Sequence, residues 1–326
     1  MLFLKKLKLV NFCNFENYEI SFIKPNGEPY KYVCFFGPNG VGKSTLLESV
    51  SMLPGDIFGR TSQFVSQGLQ KYVRHPDYDP TWQKVTDETE REMFIEGIYD
   101  IDGKEYIVQI NQNGWVRNDL CPIAIINEND DDDAEQKSMR SGPWKSDHLL
   151  YRKRISYFIK SDSDLSMSKF QLHWSQKDDF EKIVSQITRF PCECLPPKGL
   201  TPQEREFSTD FVIIKKNYRI HFKRMSAGER KICKSFSDIF NLMHSLKYPK
   251  VGDPVMDKWP RLLLIDNVEM HVYYDRHVQM VECLKEIFQH QQIFATTHSG
   301  ILINRFLRGE NDRENELMIN LEEVNN

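Results

Sequence analysis

Read for its alternation of apolar and polar positions, the chain opens as β structure. Residues 2–12 and 18–23 alternate with a period of two, and "NFENYE" reads as their connection. Tyr32 to Phe36 is a short aromatic and β-branched run of the kind that fills a buried strand, and it feeds directly into Gly37. From Thr45 to Met52 the period becomes helical. Between Arg91 and Arg117 come "REMFIEGIYD", "KEYIVQI" and "WVR", separated by Asp102-Gly103 and Asn113-Gly114, dipeptides that turn antiparallel hairpins. "RISYFIK" (154–160) returns to a sheet, and residues 191–210, with Pro191, Pro196, Pro197 and Pro202, read as a connector. "FVIIKKNYRIHF" (211–222) reads as another hairpin, and helical patterning runs from about Gly228 to Leu246. After a second Pro- and Gly-rich connector (248–260) come the apolar strand "RLLLID", a helical face of Val278, Val281, Leu284 and Phe288, and the buried strand "QIFATTHS". No internal repeat and no sustained heptad run is present. The pattern predicts an α/β core joined to an antiparallel β-layer.

Composition narrows the class. The 326 residues are 28% charged and 40% apolar, as in a globular chain, and suffice for one large domain or a core with a subdomain. The net charge of −4 gives no global basic field, so any nucleic-acid site has to be a local patch. No apolar run reaches the roughly 18 residues of a membrane helix, and the N-terminus lacks a signal peptide's apolar core, so no membrane role is expected. Seven scattered cysteines suggest a reducing cytoplasm. Cys192-x-Cys194 is half a metal site, with no second pair at zinc-ligand spacing. Residues 127–135, "NENDDDDAE", hold six carboxylates in nine positions and read as a solvated loop; they lack the glycine and terminal glutamate of a calcium loop.

Four motifs carry chemistry. In "GPNGVGKST" the frame Gly37-x-x-x-x-Gly42-Lys43-Ser44 is a complete phosphate-binding loop, placed between a strand and a helix. Its glycines Gly37, Gly40 and Gly42 let the amides of Pro38–Thr45, with Asn39 and Val41 between, turn inward around β- and γ-phosphates of ATP. Lys43 adds charge, Ser44 offers a hydroxyl to Mg2+, and the following helix points its positive end at the same anion. Leu262–Asp266 is the partner motif, a buried strand that delivers Asp266 to the carboxyl edge of the sheet as a second magnesium ligand. "MSAGERK" (225–231) combines Ser226, Gly228 and Glu229 at a helix start, which is both an anion site and a capping box. Thr297-His298-Ser299 ends the last strand, and His298 there reads as a γ-phosphate sensor.

In order and content these pieces resemble the ABC-type ATPase heads of the SMC, RecF and OLD group: "GPNGVGKST", "MSAGE", "LLLIDNVEMH" and "ATTHS", with an opening, "LKLVNFCNFENYEISF", similar to the start of such heads. The resemblance implies one head over residues 1–326. Its P-loop core sheet is flanked by helices, and its antiparallel layer comes mainly from 2–36 and 91–117. A signature helix starts near 225, and a Walker B and switch-histidine core spans 261–305. It also implies that two heads sandwich two ATP molecules, with Ser226 and Gly228 in trans to Gly37–Thr45. One departure stands out. The glutamate that activates water in the family is replaced by Asn267, whose amide cannot take a proton at neutral pH. Glu269 replaces it only if the loop brings it within about 3 Å of that water. Gln63, Gln67, Gln109 and Gln171 are all candidates for the family's glutamine loop.

Three functions compete. The first is a homodimeric or larger ATP switch controlling a separate effector protein, a nuclease or toxin, as in the stand-alone ATPases of bacterial anti-phage systems. The second is a RecF-like clamp on DNA, for which "LYRKRISYFIK" (150–160) and "KKNYRIHFKR" (215–224) interleave cations with aromatics. The third, a transporter's energy subunit, fits least, because the motif wording follows the repair branch. No coiled-coil arm is present, and the 28 residues after His298 (326 − 298) are too few for an OLD-type nuclease domain, so the chain is expected to lack an effector of its own.

Overall fold

The computed structural model describes residues 2–53, 92–119, 156–159, 170–198, 201, 206–226, 228–230, 232–234, 236–237, 240–241, 262–269, 272–288, 291–309 and 314–322. The acidic run 127–135, Gln63 and Gln67 lie outside them.

The sequence's period-two opening forms β1 (Leu2–Phe12) and β2 (Phe15–Ser21). These pair antiparallel with β4 (Phe94–Ile101), β5 (Lys104–Asn111) and β6 (Gly114–Asn118) in the order β2-β1-β4-β5-β6. Along β1, Leu2 and Leu4 are buried, then Leu7 and Leu9, so the alternation slips by one residue. The ladder with β4 shifts register between Leu4 and Lys6, and this irregularity is what re-aims the second half of the strand. β2 starts earlier than its polar residues suggest, because the turn is made by Cys13-Asn14, with Asn11 and Cys13 both at positive φ (50° and 48°).

β3 (Tyr32–Phe36), β7 (Ser156–Ile159), β13 (Leu262–Ile265), β14 (Gln292–Thr297) and β15 (Glu316–Asn320) form a fully parallel sheet in the order β15-β3-β14-β13-β7. β3 therefore belongs to the core sheet and not to the antiparallel layer, where the range 2–36 had placed it. Both faces of this sheet are covered, as continuous apolar runs require. Val33, Phe35, Leu262, Leu264 and Phe294 point to one core, shared with the antiparallel layer and with α1 (Lys43–Met52). Tyr32, Cys34, Leu263, Ile265, Ile293 and Ala295 point to the other. That second core holds α2 (Lys177–Thr188), α3 (His277–Ile287) and Leu302 of α4 (Gly300–Leu307), together with Ile232, Cys233, Phe236 and Phe240 of the helical segment that starts at Gly228. Each leucine of β13 that is fully buried contributes about 1.5–3 kcal/mol.

The described residues of 191–210 form strands where a connector is expected. β9 (Cys192–Cys194) pairs with β11 (Phe211–Lys215), which pairs in turn with β12 (Tyr218–His221). β10 (Phe207–Ser208) pairs with β8 (Leu172–His173). Two-residue and three-residue strands bounded by prolines leave too short a pattern to read. At Gly97 a side chain would meet Leu53 Cδ1 at 2.6 Å, so a larger residue where β4 passes the end of α1 would make Leu53 shift. Among the described residues no helix is long and apolar enough to cross a membrane.

Candidate functional site

The phosphate loop sits between the end of β3 and the start of α1, as its strand–turn–helix context requires. Gly37, Gly40 and Gly42 have φ of 144°, 82° and 100°, values that side-chain-bearing residues avoid. Gly42 is also hemmed in from below, since a Cβ there would lie 3.0 Å from the Phe15 ring of β2. From the same hairpin turn, Asn14 Nδ2 donates to the Gly40 carbonyl at 2.9 Å. The antiparallel layer thus backs the loop, through two residues that sequence reasoning did not single out.

α1 begins without a side-chain cap and without an acid in its first turn, leaving its first amides to an anion. Pro38 and Asn39 are exposed at the crest of the loop, Val41 Cγ1 packs against Gly37, and Thr45 is half-buried in the first helical turn. Lys43 folds back over the loop, donating to the carbonyls of Gly37 (2.9 Å) and Pro38 (2.7 Å). Burial pulls its ammonium below the ordinary lysine range, against the attraction of Asp266 and Glu269.

Ser44 Oγ donates to Asp266 Oδ1 at 2.8 Å, so the two residues expected to share a magnesium ion are brought together across 222 positions of sequence. Magnesium takes oxygen ligands at about 2.0–2.1 Å in an octahedron, in which adjacent ligands stand about 2.9 Å apart. The Ser44–Asp266 pair fits that edge. Asp266 Oδ1 also accepts from the Thr296 hydroxyl at 2.7 Å, and Thr296 Oγ1 accepts the Asn267 N–H at 2.7 Å. Asn267 is half-buried at φ 52°, and its carboxamide makes no hydrogen bond among the described residues.

Glu269 is held by the other strand end. Its Oε2 accepts from Thr297 Oγ1 (2.7 Å) and its Oε1 from the His298 N–H (2.6 Å). The His298 ring is exposed, and its position is set through the backbone. Next along, the Ser299 hydroxyl bonds His277 Nδ1 (2.7 Å) and caps α4 by accepting from Leu302 N–H, while His277 Nε2 lies 3.0 Å from the Val272 carbonyl. Neighbouring hydroxyls on β14 thus staple the segment after β13. Two threonines at the carboxyl end of a strand beside an aspartate-bearing strand were the available signal, and Thr296 was missed.

Ser226 and Glu229 close the expected capping box. Glu229 Oε2 accepts from Ser226 N–H (3.1 Å) and Oγ–H (2.8 Å), and Glu229 N–H reaches Ser226 Oγ at 3.3 Å. Lys215 of β11 pairs with the same carboxylate. Burial opposes ionisation of Glu229, but Lys215 and Ser226 outweigh it and hold the carboxyl below its usual range. Gly228 opens the helical segment behind this box, and no hydrogen bond among the described residues joins it to the phosphate loop of its own chain. Of the glutamine candidates, Gln109 on β5 donates to Glu96 (2.5 Å), and Gln171 contributes its carbonyl to Asn241.

Within 215–224, Lys215 pairs with Glu229 and Arg219 with Glu193, and the His221 ring bonds Asp210. Of 150–160 only the backbone of β7 is described. Cys192 and Cys194 serve packing. Cys192 Sγ bonds the Glu181 carbonyl (3.1 Å), the Cys194 N–H donates to Glu181 Oε1 (2.6 Å), and burial pushes the Cys192 thiol up to about 12.

Residues 33–304 match the family model described as "AAA domain, putative AbiEii toxin, Type IV TA system". Among curated proteins the chain is similar to the Septu protein PtuA of Bacillus thuringiensis, with 23% identity over 348 residues that cover 93% of this chain and 73% of the relative. Among solved structures it is similar to the SMC head domain from Thermotoga maritima, with 16% identity over 92% of this chain and 91% of that one at a TM-score of 0.46. A second similar structure is the recombination mediator RecF of the RecFOR pathway, with 13% identity over 92% and 93% of the two chains and a TM-score of 0.41.

Proposed function

The chain belongs to that AAA-domain family, and on this premise we propose that its ATP-closed dimer is a slow switch controlling a separate effector in defence against phage. It is an ABC-type ATPase head. In this reading the phosphates of ATP lie in the loop Gly37–Thr45, and Lys43 leaves the Gly37 and Pro38 carbonyls to meet them. Ser44 and Asp266 would hold Mg2+, which would offset the charge of the phosphates. Ser226 and Gly228 of a second copy would face the γ-phosphate, and His298 would sense it. The support for a defence role is the family description, which names a toxin and a toxin–antitoxin system, and the effector is then a nuclease or toxin.

The slowness rests on one observation. The residue after Asp266 is an amide, and the next carboxylate along, Glu269, is aimed at the histidine segment by one bond on each oxygen, from Thr297 and the His298 N–H. Phosphoryl transfer is mostly positioning and charge stabilisation, whereas activation of water has no carboxylate at the position directly after Asp266. Hydrolysis is then the slow step that ends the closed state. Light scattering tests this directly: ATP with Mg2+ should give a dimer that decays with the rate constant of phosphate release, and ADP should give none. A chain that stays monomeric with ATP and Mg2+, or a dimer that falls apart much faster than it hydrolyses, would sink the switch.

A further inference from the structure

We propose that Thr296 is a positioning residue for the reaction, its hydroxyl setting both the magnesium aspartate and the turn that follows it. This deepens the reading of the site as an ATP–magnesium site and rests on it. Thr296 is fully buried at the carboxyl end of β14, directly beside the end of β13. A hydroxyl has one proton and two lone pairs, and here the proton and one lone pair are assigned. The proton goes to Asp266 Oδ1 (2.7 Å), and a lone pair takes the Asn267 N–H (2.7 Å). The Thr296 carbonyl then accepts the Val268 N–H at 2.9 Å, so one residue catches two successive amides of the segment leaving β13.

Two consequences follow for the ion. The first concerns the carboxylate, whose Oδ1 is also the atom facing Ser44. With Thr296 donating to it, the carboxylate cannot rotate away from the Ser44 hydroxyl without losing a buried, charge-assisted bond. The second concerns the backbone. Asn267 sits at φ 52°, a conformation that costs a non-glycine residue and has to be held by its surroundings. The Asn267 N–H bonded to Thr296 Oγ1 is the contact that holds it. β14 thus fixes the direction in which Asp266 presents its oxygens, as outer partners of metal ligands commonly do.

The test is Mn2+ binding, read by electron paramagnetic resonance on the full chain with a non-hydrolysable ATP analogue. Thr296→Val keeps the shape and removes the hydroxyl, and should weaken Mn2+ about 10–100-fold, the usual effect of losing an outer partner. Thr296→Ser should restore parental affinity, and metal-free nucleotide binding in EDTA should be the same in all three proteins. Thr296→Cys, with a weak donor of similar volume, should weaken Mn2+ as well, and carries the test if the valine variant does not fold. Parental Mn2+ affinity in a folded valine or cysteine variant, or failure of serine to rescue, overturns the proposal while leaving the ATP site intact. A parent that binds the analogue with no Mn2+ at all overturns the ATP–magnesium reading together with it.

Discussion

Replacing Asn267 by glutamate should accelerate ATP hydrolysis, and the structure sets the size of the effect. A positioned base contributes about 10²–10⁴-fold to proton transfer. Against this stands the backbone at residue 267, whose φ of 52° suits asparagine better than glutamate. Left-handed backbone costs an ordinary L-residue about 1–2 kcal/mol, and asparagine escapes part of that through its short polar side chain. If the reactive geometry carries about 1 kcal/mol more of this strain than the resting one, the rate falls about fivefold. The net gain is then about 20-fold at the low end. About 1 kcal/mol of strain in the resting state should lower the melting temperature by about one to two degrees. Single-turnover phosphate release is the assay, because steady-state turnover mixes chemistry with dimer opening. Glu269→Gln should change the rate little. Glutamine keeps one acceptor for the His298 N–H, and its amide can donate to a Thr297 hydroxyl that has turned around. An unchanged rate for Asn267→Glu, combined with abolished turnover for Glu269→Gln, would show that Glu269 is the base and that the slow-switch reasoning is wrong.

Three further outcomes are expected. Lys43→Ala should weaken ATP binding at least tenfold in calorimetry, because a charge-assisted contact worth about 1.5–3 kcal/mol is lost; unchanged affinity would contradict the loop assignment. Gly228→Asp should abolish the ATP-dependent dimer in light scattering, since its carboxylate repels a γ-phosphate, and a dimer as strong as the parent's would refute the trans arrangement. Cys192, with burial raising its thiol to about 12, should stay protonated and resist alkylation at pH 8 in the native protein while reacting once the chain is denatured.

Much of the fold is legible where a single period runs long enough. In the antiparallel meander, β4 and β5 have eight residues each with turn chemistry between them, and the strand–loop–helix around Gly37 is marked by its glycine spacing. β9 and β10, at three and two residues, carry no period, and only their partners β11 and β8 reveal them. α2 is a different case. Phe180, Ile183, Val184 and Ile187 are spaced as one buried helical face, yet no local signal said where this helix docks. β3 was read as a strand but assigned to the wrong layer. Its five residues are apolar throughout, which fits a sheet covered on both faces, and the pairing with β14 and β15 that decides the matter is made with residues more than 250 positions away.

The site divides along the same line. Residues whose chemistry depends on local order, such as Gly37, Gly42 and Lys43, could be named from spacing alone, because the loop makes its own geometry. Residues that act by holding another residue could not. Thr296 reads as one more small buried position in a strand, and it gains a role only because Asp266 ends the neighbouring strand at the same level. Glu269 shows the converse. Its carboxylate and its place two residues past Asn267 made it a natural stand-in for the missing base, but the structure sets its oxygens on Thr297 and the His298 amide. The carboxylate that sequence would enlist for chemistry is thus committed to fixing the histidine segment. In the proposed site, sequence names the parts that would hold ATP, and the contacts between two strand ends that orient Asp266 and Glu269 are ones that only the fold brings together.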